Sequence, residues 1–163
     1  MKNRLTFWLL AMVTVLFASS CSQHRPIDIN DDIRDPSEHE QSVIQIAPMV
    51  PEAVQILLQE AESQQQHDQI EQALLTLKRA LSISPGSALV QQHLAELYLA
   101  EGDYQQAFGW SNRVFQQGPT HGSVCERARR TLALAAEMLN DVETQAQALE
   151  SISDCTLPAP KKY

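Results

Sequence analysis

Cysteine is the residue type with the most specific chemistry in this chain, and its three copies occur in two settings. Cys21 follows a basic start, an apolar run over residues 5–17 and small residues at 18–20. That order is typical of a secretory signal, and the apolar run is too short to cross a membrane comfortably. Cys125 and Cys155 lie near the other end of the chain. The three thiols could therefore supply one thioether and one disulfide.

The small residues directly before Cys21 resemble the lipobox of bacterial lipoproteins. The resemblance implies that residues 1–20 are removed as a signal peptide and that Cys21 becomes the lipidated N-terminus. Ala18 departs from the pattern, in which leucine is commonest. Ser22 stands where an aspartate would favour inner-membrane retention in enterobacterial lipoproteins, which implies an anchor on the periplasmic face of the outer membrane of a Gram-negative bacterium. The alternative is a plain secretory signal followed by an incidental cysteine.

Residues 22–48 differ from the rest of the chain because they are polar and acidic and show no hydrophobic period. Such a segment cannot bury enough apolar surface to offset chain entropy, so we predict a disordered tether between the lipid and the folded domain. Fully extended, the tether would span about 90–100 Å. The short apolar stretch 43–46 is either a strand-like docking piece or ordinary linker.

Residues 70–119 contain an internal repeat with a period of about 34 residues. Shifting the sequence by that period places Ala73 on Ala107 and Pro85 on Pro119. The period is typical of stacked helix–turn–helix units. Apolar residues within each copy recur at helical spacing, so the sequence predicts pairs of antiparallel helices.

The two copies resemble the tetratricopeptide repeat (TPR) family. The better copy carries the resemblance at Leu94, Ala95, Tyr98, Gly102, Asp103, Tyr104, Ala107 and Pro119, and the weaker copy at Leu57, Ala61, Ala73, Leu77, Ala80 and Pro85. The weaker copy departs from the pattern, with Gln64 in the position of Tyr98 and Asp68 in that of Gly102. The resemblance implies a helical module that binds another protein.

A third helix pair departs from the period. Asn140 is at the turn position that Gly102 has in the better copy, but it lies more than one repeat length after Gly102. The apolar face predicted for its second helix consists of Val142, Ala146, Leu149 and Ile152. We interpret this pair as a divergent repeat that caps the stack. The predicted fold is all-α, a TPR-like α-solenoid of about three antiparallel helix hairpins over residues 49–157, with a tail at 158–163.

The last hairpin also predicts a disulfide between Cys125 and Cys155. The turn at Asn140 is midway between the two cysteines, so an antiparallel pair of helices places them side by side at its open end. Export implies an oxidising compartment, and lipid on Cys21 leaves an even pair of thiols. In the chain-entropy model a loop of this length contributes about 3–4 kcal/mol.

In the TPR family the first helix of each pair lines a concave groove that receives a peptide. The equivalent positions here are Leu58, Glu62, Gln65, Leu89, Gln92, Glu96 and Leu99, with Arg127 and Arg130 at the end of the groove. Most are polar and none resembles the basic carboxylate clamp of chaperone-binding members, which implies a mixed polar and apolar partner. Arg127, Arg129 and Arg130 form a basic cluster in an acidic chain, either a solvated face or a site for an acidic peptide.

Composition and motif content argue against an enzyme, a nucleic-acid-binding protein and a metalloprotein. The formal net charge is −8 and becomes more negative once the basic signal start is removed, which suits neither nucleic acid nor anionic lipid. The five histidines have no metal-like spacing, and His93 is interpreted as a solvated or partly packed helix residue. The sequence has no phosphate-binding glycine loop and no nucleophile motif. We therefore predict no cofactor, no metal and no small-molecule substrate.

The order of lipid, tether and compact TPR domain resembles small outer-membrane lipoproteins that activate bifunctional penicillin-binding proteins. The resemblance implies that the partner is the periplasmic domain of an envelope protein and that the N-terminal lipid holds the chain at the membrane. The alternative is a pilotin-like assembly factor that carries a secretin, or another envelope complex, to the outer membrane. Pilotins of this kind have more repeats and little tether, so the first class is preferred.

Overall fold

The computed structural model describes residues 27–34 and 49–156 of the chain. In these ranges it contains six α-helices and no strand. The helices are α1 (Glu52–Gln66), α2 (Ile70–Ile83), α3 (Ala88–Ala100), α4 (Tyr104–Gln117), α5 (Ser123–Met138) and α6 (Val142–Glu150). A short helical turn, Asn30–Arg34, precedes them, and a 3-10 turn, Ser151–Cys155, follows α6. The predicted all-α, TPR-like fold is confirmed.

The three helix hairpins α1–α2, α3–α4 and α5–α6 all turn on a residue with positive φ. Gly102 has a φ of 80°, and Asp68 and Asn140 take its place in the other two hairpins with φ of 59° and 60°. Aspartate and asparagine adopt this conformation more readily than other residues with a side chain, so the departures from glycine preserve the turn. Asp103 and Asp141 follow and cap α4 and α6, each accepting a hydrogen bond of 3.1 Å from a backbone N–H.

The helices form two layers. The first helices of the three pairs, α1, α3 and α5, make the inner layer, in which α3 contacts both α1 and α5. The second helices, α2, α4 and α6, lie outside and pack on the inner helices next to them in sequence. The inner layer therefore contains the helices that line the groove in TPR proteins.

The central helix of the stack is α3, which is buried along most of its length. Its Val90, Leu94 and Leu97 pack into the main hydrophobic core with Val54 of α1 and Leu77 of α2. A side chain of this kind contributes about 1.5–3 kcal/mol when fully buried. This core fixes α3 between its neighbours and so determines where its polar side chains lie.

The end of the last hairpin is closed by a bond between cysteines. The sulfur atoms of Cys125 and Cys155 are 2.02 Å apart, and both residues are buried. The backbone N–H of Gly122 donates a hydrogen bond of 2.9 Å to the carbonyl oxygen of Cys155. The 3-10 turn is thereby tied to the start of α5.

The apolar face predicted for the sixth helix is wrong. Val142 and Leu149 are 72% and 50% exposed, and Ala148 is the buried residue of α6. Ala148 packs with Leu132 and Ala133 of α5. The small side chain lets this short helix lie close to α5, and no further hairpin in the described part of the chain covers its apolar residues.

The predicted tether is corrected over residues 27–34, which lie against the helical domain. Ile29 and Ile33 are 5% and 1% exposed and belong to one hydrophobic cluster with Leu99. Asp28 caps the turn, because its Oδ1 accepts a hydrogen bond of 2.9 Å from the backbone N–H of Asn30. Two isoleucines four residues apart give a helical turn one apolar side, which a count of polar residues over 22–48 does not reveal.

The remaining predictions for the termini and the linker, including the lipidation of Cys21 and the stretch 43–46, lie outside the described residues.

Candidate protein-binding groove

Three of the four buried polar side chains of α3 take part in one network. Gln92, His93 and Glu96 are 0%, 7% and 1% exposed. An ionised carboxylate in such a setting is stable only when charged and hydrogen-bonding groups replace its lost water. Here the replacement comes from α5, from α3 itself and from the segment 27–34.

The Glu96 carboxylate is held between two arginines. Arg127 of α5 donates from Nε to Oε1 at 2.6 Å and from Nη2 to Oε2 at 2.7 Å. Arg34 donates from Nε and Nη2 to Oε2 at 3.0 and 2.8 Å. Charge-assisted and bidentate contacts of this kind are stronger than hydrogen bonds between neutral groups. One carboxylate therefore joins the inner layer to a segment that precedes the domain.

The arginines determine the ionisation of Glu96. Burial alone would raise the pKa of this carboxyl, but the charge and hydrogen bonds of Arg127, together with His93 and Arg34, lower it to about 2. Glu96 is thus ionised at neutral pH. Glu62 of α1 adds a second carboxylate at the rim, with Oε1 3.7 Å from Nη1 of Arg34.

His93 lies one turn before Glu96 and is neutral at physiological pH. Burial, reinforced by the charges of Arg127 and Arg34 and opposed by that of Glu96, lowers its pKa to about 3. Its Nδ1 lies 3.5 Å from Nη2 of Arg34 and 3.8 Å from Oε1 of Glu62. The neutral ring can accept a hydrogen bond at Nδ1, and it adds no third positive charge beside the two arginines.

Gln92 extends the network toward α5. Its Nε2 donates to Oε1 of Glu96 at 3.0 Å and to Oγ1 of Thr131 at 2.8 Å. Its Oε1 is buried and has no hydrogen-bond partner. The polar network therefore links α1, α3 and α5 across the inner layer.

The three arginines of α5 do not form one surface. Arg127 is engaged by Glu96, whereas Arg129 turns away, donates to Oγ of Ser151 at 3.0 Å and lies 5.3 Å from the ring centre of Phe115. Arg130 is half-buried, and its Nη2 lies 4.0 Å from Oε2 of Glu126, one turn earlier in α5. In the described part of the chain these three arginines therefore do not form one continuous basic surface.

The structure brings some of the predicted groove residues together and separates others. Gln92, Glu96 and Arg127 meet in the network, with Glu62 at its rim. Leu99 lies beside it in the cluster that also contains Ile29 and Ile33. The positions that lie elsewhere are Leu58 and Leu89, which pack in hydrophobic clusters, and Gln65, half-buried near the end of α1. Arg130 lies at the edge of the groove, where it lines a small cavity together with Asp32.

The segment 27–34 covers this region, and hydrophobic spacing in the sequence does not predict its position. Arg34 and the pair Ile29 and Ile33 are the residues that were missed. The signal available in the sequence was a helix cap formed by Asp28 and Asp32. Asp28 accepts from the start of the turn, and its own backbone N–H donates to Oδ2 of Asp32 at 3.0 Å, so the cap is reciprocal.

Other kinds of site are not found in the described ranges. No group of three or more His, Cys, Asp or Glu side chains there could hold a metal ion. None of the helices described above is long and apolar enough to span a membrane. The groove is therefore the candidate site that the described residues offer.

Comparison with known proteins agrees with this architecture. The tetratricopeptide repeat model matches residues 64–120. None of the curated proteins matches the chain. Nine chains of solved structures match, among them the globular C-terminal domain of P. aeruginosa LpoP, with 26% sequence identity, a TM-score of 0.59, and coverage of 64% of this chain and 99% of that domain. Residues 64–120 thus match the tetratricopeptide repeat family, within a domain that has the fold of the LpoP C-terminal domain.

Proposed function

We propose that this chain is an outer-membrane lipoprotein whose helical domain binds the periplasmic region of a bifunctional penicillin-binding protein and raises its activity. The observation that carries the proposal is the match to nearly the whole LpoP domain at 26% identity. We infer that LpoP belongs to the class of lipoprotein activators that the sequence resembles. The lipid on Cys21, the outer membrane and the synthase as partner are all parts of this proposal.

A binding domain can regulate a synthase without contributing a catalytic group. It changes the partner's activity only by binding one conformation of the partner more tightly than another. A differential affinity of about 1.4 kcal/mol would shift such an equilibrium about tenfold. The three-hairpin size of the domain favours this role over that of a pilotin, because the match covers 99% of a solved domain with the same fold.

The structure indicates which substitutions test binding rather than folding. Arg127 holds the buried carboxylate, so its reversal would disturb the fold. Arg130 and Glu62 are more accessible, with side chains 21% and 41% exposed. Glu62→Lys and Arg130→Glu therefore change the charge of the groove at its rim. Matched reversals on the outer helix α2 are Glu71→Lys and Arg79→Glu, both at exposed positions.

The experiment measures glycan polymerisation by a purified bifunctional synthase of the same cell, with and without the mature chain. We expect an increase with the unmodified chain, a smaller increase with the two rim variants, and no change with the two α2 variants. Unchanged activity with the rim variants would place the synthase contact elsewhere on the domain. If no synthase binds and the localisation of a secretin depends on the chain, the pilotin alternative is correct.

The anchor is tested separately in cells. Cys21→Ala should release the chain from the outer-membrane fraction and should remove the mass of the lipid. A Cys21→Ala chain that fractionates with the outer membrane at unchanged mass would contradict the lipoprotein assignment.

A further inference from the structure

The groove of this domain already contains a ligand-like element of the same chain. The turn Asn30–Arg34 follows the Asp28 cap, and one of its sides presents Ile29 and Ile33 to the domain. Arg34 then reaches across the inner layer to Glu96. Exposed positions of the turn, such as Asn30 and Asp31, face solvent.

The turn owes its structure to the domain. Isolated helices shorter than about 12–15 residues are marginal in water, and this turn has 5 residues. Its stability must therefore come from the contacts of the segment 27–34 with the domain, among them those of Ile29, Ile33 and Arg34. This is the energetic pattern of a short peptide that becomes helical when it binds in a groove.

The main hydrophobic core of the helical domain, by contrast, excludes the segment. The main hydrophobic cluster is formed by residues of α1, α2 and α3. Glu96 keeps Arg127 and Gln92 as partners when Arg34 is removed. The solved LpoP domain covers 64% of this chain, a share that residues 52–155 alone would fill.

We propose that residues 27–34 are an intramolecular ligand of the groove, and that a partner must displace them with a helical peptide of the same chemistry. That chemistry is two branched apolar side chains four residues apart, followed directly by an arginine. The carboxylates of Glu96 and, at the rim, Glu62 select the arginine, and the cluster around Leu99 and Ala135 receives the apolar pair. The inference concerns the groove's own ligand and holds for either class of partner.

The segment lowers the apparent affinity of the groove for such a peptide. If the segment occupies the groove for about nine-tenths of the time, apparent affinity for a competing peptide is about tenfold lower than intrinsic affinity. Replacing Ile29 and Ile33 should raise the apparent affinity for the competing peptide about tenfold and leave the groove intact. The matched control is a change of charge at an exposed residue of the same turn.

The first experiment uses the mature full chain and a fluorescent peptide with the sequence of residues 26–36. The variant Ile29→Asp/Ile33→Asp, in which the segment is released, is called the opened variant. Anisotropy should show that the peptide binds about tenfold more tightly to the opened variant than to the unmodified chain or to the control Asn30→Asp. A peptide that carries Arg34→Glu should lose at least about tenfold in affinity for the opened variant. Equal binding of the peptide to the opened variant and the unmodified chain, or equal binding of both peptides, would overturn the proposal.

Hydrogen exchange on the same chains separates a detachable ligand from a part of the core. In the opened variant, amides of residues 27–34 should exchange at least about tenfold faster, while those of α3 keep their protection. Loss of protection in α3 would show that the segment is a structural part of the domain and would overturn the proposal. A dimer of the unmodified chain that dissociates when the segment is opened would show exchange of segments between copies and would overturn the intramolecular arrangement.

Discussion

Protonation of His93 should control the acid stability of the domain. Its ring is surrounded by charged groups from every inner element: Glu62 from α1, Glu96 from α3, Arg127 from α5, and Arg34 from the docked segment. Burial and the two arginines lower its pKa from 6.5 to about 3, so the folded state holds the neutral ring. The unfolded chain binds a proton near pH 6.5, and the folded chain does not until the pH is far lower.

The sign and size of the effect follow from linkage. Between pH 6.5 and about 3 the unfolded state binds more protons, so the free energy of unfolding falls as the pH falls. Between pH 7 and pH 5 this residue alone should lower the free energy of unfolding by about 2 kcal/mol, at about 1.4 kcal/mol per pH unit. The carboxyl of Glu96 contributes at lower pH, since its stabilisation is present above 4.5 and lost toward about 2.

Urea unfolding followed by circular dichroism at pH 7, 6 and 5 measures the effect. His93→Gln keeps a polar side chain that can accept from Arg34 but cannot be protonated, so its stability should be nearly constant over this range. The control His67→Gln changes an exposed histidine and should retain the full pH dependence. If the unmodified chain and His93→Gln lose equal stability between pH 7 and 5, the assignment of the effect to His93 is wrong.

Two further substitutions test the bonds that hold the last hairpin and the inner layer. Cys125→Ser/Cys155→Ser should lower the free energy of unfolding by about 3–4 kcal/mol, because the bond closes a loop with a sequence separation of 30; two free thiols in the purified, unreduced and unfolded protein would refute the pairing. Arg127→Met should lower the free energy of unfolding in urea by about 3 kcal/mol, because it leaves the buried carboxylate of Glu96 with weaker partners. Arg130→Met should lower it by less than about 1 kcal/mol. Equal losses of stability in the two variants would contradict the inference that the ion pair of Arg127 with Glu96 stabilises the inner layer.

The helical stack was predictable because its signals are local and repeated. Ala73 and Ala107 recur one period apart, and both are fully buried. The turns were recognisable even where glycine is replaced, since Asp68 and Asn140 are residues that tolerate positive φ. The register of the repeat also brought Gln92 and Glu96 to the inner layer.

The docked segment was not predictable from the same signals, because its partners are distant in sequence. Ile27, Ile29 and Ile33 are separated by polar residues, and the residues that bury Ile29 and Ile33, such as Leu99 and Ala135, follow much later in the chain. Likewise, burial on α6 depends on which side of a short terminal helix meets α5, and Ala148 determines that contact. Both features are decided by tertiary packing, which hydrophobic spacing does not encode.

Docking of residues 27–34 should also set how far the domain reaches from the membrane. This prediction rests on the proposed lipid at Cys21. With the segment docked, only residues 22–26 lie between the lipid and the domain, and they span at most about 20 Å. With the segment released, residues 22–48 span up to about 90–100 Å. The groove would thus couple partner binding to reach, since a peptide that displaces the segment also lengthens the link.

Energy transfer measures this reach on lipidated full chains in vesicles. The donor dye sits on Lys78→Cys, an exposed position of α2, and the acceptor is a labelled lipid headgroup. Transfer should be efficient in the otherwise unmodified chain and in the control Asn30→Asp, because the short link holds the domain near the bilayer. It should fall in Ile29→Asp/Ile33→Asp, and it should fall in the unmodified chain when the peptide of residues 26–36 is added in excess. Transfer that is equal in all three chains would mean that the docked segment does not limit the distance between domain and membrane.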